Sequence, residues 1–208
     1  NDISIYFQPI TDTDSWTEQQ LGSVVIKNEG NFPEIEKNGC AIFYVPEFRG
    51  SGRENQRQSG HFRESFYRLH GEQEWKFPMY DLGDILPGNT LEDTYFAVAK
   101  VVSELVKNKV VPIVIGGSQD LTVAMYNGYE KLEQLVNICS IDHSLDLGTP
   151  DEEIHAHGYL SQILLKRPCN LFNHANIGLQ IPYASAKEFD LFEKLYFDIC
   201  RLGEFNQD

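Results

Sequence analysis

Short apolar runs alternate along this chain with amphipathic stretches. Residues 40–45 (CAIFYV) are apolar throughout and partly β-branched, which predicts a strand buried on both faces. Residues 110–115 and 136–141 read the same way, with shorter strand signals at 23–26, 77–80 and 176–179 and a last apolar run at 195–199. Between them the period changes. Phe62, Phe66 and Leu69, four and three apart, predict a helix over 61–69. Asn89-Thr90 followed by Glu92 and Asp93 marks a helix start. Phe96, Val98, Val101, Val102, Leu105 and Val106 then carry an apolar face to about Asn108. Further helices are expected over 121–135, 154–165 and 186–193. The N-terminal forty residues are weakly patterned, and 48–60 (FRGSGRENQRQSG) reads as a polar, Gly-rich loop. Strands alternating with helices imply βαβ units, hence a three-layer α/β/α domain with a mainly parallel sheet. No internal repeat or linker divides the chain, so residues 1–208 are expected to form a single domain.

Composition narrows the partners. There are 31 acidic against 17 basic residues, a net charge of −14, which argues against a nucleic-acid or anionic-membrane partner. A solvated acidic surface is the plainer use of that charge. No apolar run is long enough to span a membrane, and no charged segment with an apolar stretch opens the chain. Cys40, Cys139, Cys169 and Cys200 lie far apart without a CxxC pair, three of them among apolar residues. Neither zinc nor a disulfide framework is suggested, and a reducing cytoplasm fits best.

The chemistry-bearing residues gather where predicted strands end. IVIGGSQDLT (113–122) presents Gly116-Gly117-Ser118-Gln119-Asp120 between strand and helix. A glycine pair there can cradle a phosphate on a helix N-terminus. This one lacks the lysine of a phosphate loop and the third glycine of a dinucleotide fingerprint. A tight turn with Asp120 capping the helix is the plainer reading. ICSIDHSLDLG (138–148) ends in Asp142 and Asp146, two carboxylates able to converge on a hard cation. From spacing alone a capped turn is favoured there too. His155 and His157 are candidate metal ligands or acid–base groups, or a surface pair with no role.

Taken in order, these clusters resemble the ureohydrolases, the family of arginase, agmatinase and formimidoylglutamase. Its strand-end signatures are Gly-Gly-x-His, Asp-Ala-His-x-Asp, His-Gly, Ile-Gly-Leu-Arg and a late Asp-x-Asp. Here stand Gly116-Gly117-Ser118-Gln119, Asp142-His143-Ser144-Leu145-Asp146, His157-Gly158 and Ile177-Gly178-Leu179-Gln180. Asp81-Leu82-Gly83-Asp84 and residues 60–63 also resemble family segments, so the likeness spans roughly 40 to 205. The GGSQD version and the long polar N-terminal region look closest to formimidoylglutamase-like members.

The resemblance implies an arginase-type fold and two Mn2+ ions held by His and Asp, which turn a bridging water into hydroxide. It implies hydrolysis of a C–N bond in a linear amidine or guanidine such as N-formimidoylglutamate, in a cytoplasmic homo-oligomer. It assigns metal to Asp142 and Asp146 and a proton relay to His157. The departures bear directly on the metal. Gln119 and Ser144 stand where ligand histidines belong, and both are poorer donors to Mn2+ than imidazole. His143 is one position off, so on an extended segment it would point the other way. Mn2+ is therefore expected to be weak or absent. Asp198-Ile199-Cys200 follows too soon after Asp142 to match the late Asp-x-Asp, and residues 195–205 better resemble the segment ahead of it. The final strands are expected beyond Asp208. The alternative is a catalytically inactive member that binds a ligand or a partner subunit, and a nucleotide-binding α/β protein is a third, weaker reading.

Overall fold

The apolar run at 40–45 does form a strand buried at every position. In the computed structural model, residues 2–11, 15–52, 60–71, 77–149 and 152–204 are described. They fall into two compact units, Asn1–Ser118 and Gln119–Asp208. The helices are few and mostly short, and no described helix is long and apolar enough to cross a membrane.

The first unit contains β1 (Phe7–Gln8), α1 (Leu21–Val24), β2 (Ile26–Lys27), β3 (Cys40–Tyr44), α2 (Gly60–Tyr67), β4 (Met79–Ile85), α3 (Leu91–Lys107) and β5 (Val111–Ile115). Its sheet runs β1-β4-β3-β5, with β2 also on β4. Only β1 pairs antiparallel; the other pairings are parallel. Alternation along β3 explains its double burial. Cys40 and Ile42 join Leu21, Val25, Tyr67 and Met79 in one apolar cluster, while Phe43 meets the edge of Phe7. The helix expected from Asn89-Thr90 is α3, whose Thr90 and Asp93 form a reciprocal capping box. Val98, Val101, Val102 and Leu105 are buried along it. Phe96, expected on that face, is exposed because it lies outside the buried arc.

Several boundaries differ from the sequence expectations. The run at 23–26 is split between α1 and β2. The strand at 77–80 runs instead from Met79 to Ile85, so Asp81 and Asp84 lie within β4 and not in a turn after it. Of the loop at 48–60, residues 53–59 lie outside the described residues. The two family-like segments near 63 and 81–84 meet. Arg63 donates from Nε and Nη2 to Asp81 at 2.8 and 3.1 Å and from Nη1 to Asp84 at 2.6 Å. Tyr67 also donates to Asp81, at 2.8 Å. Burial opposes the charge on Arg63, but its bonds to Asp81 prevail and raise its pKa. The cluster ties α2 to β4.

The second unit contains α4 (Leu121–Glu130), β6 (Val136–Ile141), α5 (Tyr159–Leu164), β7 (Leu171–Leu179), α6 (Ala186–Lys194) and β8 (Asp198–Arg201). Its three strands, in the order β6-β7-β8, are all parallel. Val123 and Tyr126 from α4, Tyr159, Leu160 and Ile163 from α5, Leu179 and Phe192 form its core with Leu145 and Leu147. β6 alternates, turning Ile138 and Ser140 inward while Asn137, Cys139 and Ile141 are exposed. Cys139 is thus not a buried thiol, despite its apolar neighbours in sequence. Helices α4 and α5 are shorter than expected, and the strand at 176–179 begins already at Leu171. Ser185 and Glu188 cap α6 reciprocally. The α/β class with mainly parallel pairing holds throughout.

Candidate metal centre

Gln119, Asp142, Ser144, Asp146 and His157 all belong to the second unit, and one hydrogen-bonded network joins them. β6 ends at Ile141, and the chain then turns sharply. The Asp142 amide still bonds Ile177 O at 3.0 Å, and Gln180 N reaches His143 O at 3.0 Å. Asp146 takes φ 48°, a left-handed conformation that Asp tolerates better than most residues. Gly148 follows at φ 58°, where a Cβ would come within 2.6 Å of Gly158 Cα. The turn therefore passes close to the chain at His157-Gly158.

Asp142 is the hub. Its Oδ2 accepts from Gln119 Nε2 at 2.8 Å. Its Oδ1 accepts from His143 Nδ1 at 2.7 Å and from the Ser144 amide at 3.2 Å. The Ser144 hydroxyl lies 3.3 Å from that oxygen and 2.8 Å from Asp146 Oδ1. His157 Nδ1 reaches the same Asp146 oxygen at 3.3 Å. The carboxylate of Asp146 is 4% exposed and the His157 ring 79%, so a buried acid meets an imidazole open to solvent.

These surroundings push the two acids apart. Burial raises the pKa of Asp142, but hydrogen bonds from Gln119, the Ser144 amide and His143 outweigh it and hold the carboxyl below its usual value. Burial raises Asp146, the neighbouring Asp142 charge adds to that, and Ser144 and His157 only partly compensate. Splitting the two groups lets one acid hold its charge while the other more readily keeps its proton.

His143 does not point away as an extended segment would require. Strand geometry has ended at Ile141, so alternation no longer applies, and the ring folds back onto Asp142 with its edge against Tyr183 at 4.5 Å. Asp120 is the N-cap residue of α4 but makes no side-chain cap bond. Its own backbone is already helical at φ −57°, ψ −21°, whereas a capping residue takes extended angles. His155 bonds Glu152 at 2.9 Å. Among the described residues, no three His, Cys, Asp or Glu side chains are grouped so as to hold a metal ion.

Four further polar side chains lie near the network, one of them, Asn176, bonding the Ser144 carbonyl, and the sequence reading missed them. Ser140, Tyr159, His174 and Asn176 sit beneath it on the helix-facing side of β6 and β7. Their signal was present: His174 and Asn176 are two apart, hence on one face of a strand.

A sequence model of the Arginase family matches residues 42–208. No curated protein matches the chain. Among solved structures, a Trypanosoma cruzi formiminoglutamase with Mn2+ superposes with a TM-score of 0.72 at 20% identity, over 89% of this chain and 65% of that one. Formimidoylglutamase from Bacillus subtilis gives 0.71 at 13% identity, over 95% and 63% of the two chains. A T. brucei arginase-like protein gives 0.59 at 14%, over 78% and 60%. At such identities these likenesses speak for the fold, and this chain spans less than two thirds of each neighbour. The family match covers most of the chain, from β3 through the Asp142–Asp146 turn to the C-terminus: the protein belongs to the arginase family.

Proposed function

We propose that the chain carries a ureohydrolase site with a degenerate metal position. It takes a linear amidine or guanidine, of which N-formimidoylglutamate is the type, and does not hydrolyse it at the rate a manganese pair gives. One observation carries this reading: the Gln119 amide turns its N–H, not its carbonyl, toward Asp142. An ion at that place needs lone pairs, as Mn2+ ligands supply. Here hydrogens from Gln119, His143, Ser144 and His157 already point at the Asp142 and Asp146 carboxylates. The residues present do not fit a manganese pair.

What remains is recognition and limited proton transfer. Asp142, ionised and partly open, suits the cationic carbon centre of an amidinium or guanidinium. His157 beside Asp146 can give or take a proton, a contribution of about 10²–10⁴-fold that does not replace two metals. The formiminoglutamase neighbours support the substrate class. The same saturation of the carboxylates favours a second reading, a ligand-binding or subunit-interaction member with no turnover. A cytoplasmic homo-oligomer is proposed on the family likeness.

The test is ammonia or formamide release from N-formimidoylglutamate, with urea release from arginine and agmatine, in added Mn2+. Metal-dependent turnover by the 208-residue chain would overturn the proposal. Gln119→His with Ser144→His is expected to raise Mn2+ affinity by restoring two imidazole ligands.

A further inference from the structure

The helix-facing side of β6 and β7 is apolar except where Ser140, His174 and Asn176 project from it. Ser140 and Asn176 are directly opposed in the parallel register, and His174 lies two residues before Asn176. Tyr159 comes in from α5. His174 is 1% exposed and stands edge-on to Phe192 with ring centres 5.4 Å apart. Its Nδ1 has no hydrogen-bond partner, and neither does Asn176 Oδ1. A buried polar group left unsatisfied costs stability, so leucine would serve packing better at both places. Their value lies in the bonds they do make.

One bond leads from these residues into the candidate centre, and two more join them to one another. Asn176 Nδ2 donates to the Ser144 carbonyl at 2.8 Å, inside the turn. His174 Nε2 is 3.2 Å from Ser140 Oγ, which is 2.9 Å from the Tyr159 hydroxyl. Burial raises the Tyr159 phenol, and hydrogen bonding by Ser140 and Gln119 works against that rise. Gln119 in turn donates to Asp142. An orphaned buried N–H is rarer than an orphaned acceptor, so the proton of His174 belongs on Nε2. That tautomer lets His174 donate to Ser140, which leaves the Ser140 hydroxyl to meet Tyr159.

We propose that Asn176 is a positioning residue whose amide holds the 142–146 turn in place without a metal ion, with Ser140 opposite it in register and His174 and Tyr159 bonded to Ser140 as the buried polar base beside it. The proposal rests on the degenerate-site reading and adds how such a site stays ordered. A hydrogen bond made in a low-dielectric interior is stronger than one made in water, so the bond from Asn176 restrains the turn it reaches.

Amide hydrogen exchange on the 208-residue chain tests it. In EDTA the amides of Asp142, Ser144 and Gln180 are expected to be protected, and added Mn2+ to change nothing. Asn176→Ala should speed their exchange about tenfold, the scale of one lost hydrogen bond, and Tyr159→Phe and Ser140→Ala should do so less. His174→Leu should do the same, while His174→Gln, which keeps an N–H near Ser140, should restore protection. The amide of Val136, which donates to Asn170 O at the far end of β6, should stay as protected as in the parent chain, which separates loosening from unfolding. Variants that leave the turn as protected as before would overturn the proposal. So would protection that appears only with Mn2+. Tight Mn2+ binding to a turn already protected in EDTA would overturn the degenerate-site reading and leave the role of Asn176 standing.

Discussion

His174 shows how one side chain couples this fold to pH. Its pKa is lowered by burial to about 4, against an ordinary 6.5. The unfolded chain therefore takes up the proton first as pH falls. The stabilisation is complete above about pH 6.5 and is lost between there and pH 4, by roughly 3 kcal/mol in all. Urea denaturation from pH 7 to 4 should show this slope, and His174→Phe should flatten it. An equal slope in that variant would assign the acid sensitivity elsewhere. Residue chemistry also decides what was visible beforehand. Asp142 and Asp146 were singled out because the ordered set of motifs resembles the family's, since spacing alone favoured a capped turn. The bond from His143 to Asp142 was not, because its direction depends on where β6 stops.

At the scale of elements, the second unit's strand-end turn and the first unit's α2–β4 junction use opposite chemistry. The junction is a buried ion pair. Asp81 has no exposed surface, and Arg63 supplies it with two of its donors. Arg63→Met would leave that carboxylate buried without its counter-charge, a loss of roughly 3–5 kcal/mol measurable by chemical denaturation. Thr90→Ala removes half of the capping box of α3 and should cost only about 1 kcal/mol, since solvent can replace an exposed cap bond. A cost for Arg63→Met no larger than for Thr90→Ala would mean that water reaches Asp81. The α3 start was legible because capping is local, set by residues three apart. The Arg63–Asp81 pairing was not, because it joins a helix to a strand through space.

For the whole molecule, the expected signature is indifference to metal. A ligand that binds only the folded state stabilises it by about 2.7 kcal/mol when present at a hundred times its Kd. Millimolar Mn2+ should therefore leave the Tm of this chain where EDTA leaves it, while the Gln119→His, Ser144→His double variant should show a Mn2+-dependent rise. Differential scanning calorimetry reads both. A metal-dependent rise in the parent chain would show that the carboxylates exchange their hydrogen bonds for an ion.

The sequence by itself determined the alternation of strands and helices, the parallel pairing and the family. Each of these rests on periodicity or on an ordered set of short motifs, which survive without knowledge of distant contacts. It also places Gln119 and Ser144 where the resemblance expects ligand histidines, because identity at a motif position is a one-dimensional fact. Tertiary structure alone decided what the replacements do. Whether Gln119 offers Asp142 an oxygen or a hydrogen depends on the rotamer that packing allows. That Asn176 reaches the turn depends on the register of β7 against β6, in which Ser140 meets Asn176. Hydrogen bonds are directional and short, so they exist only once distant segments are held at their final separation.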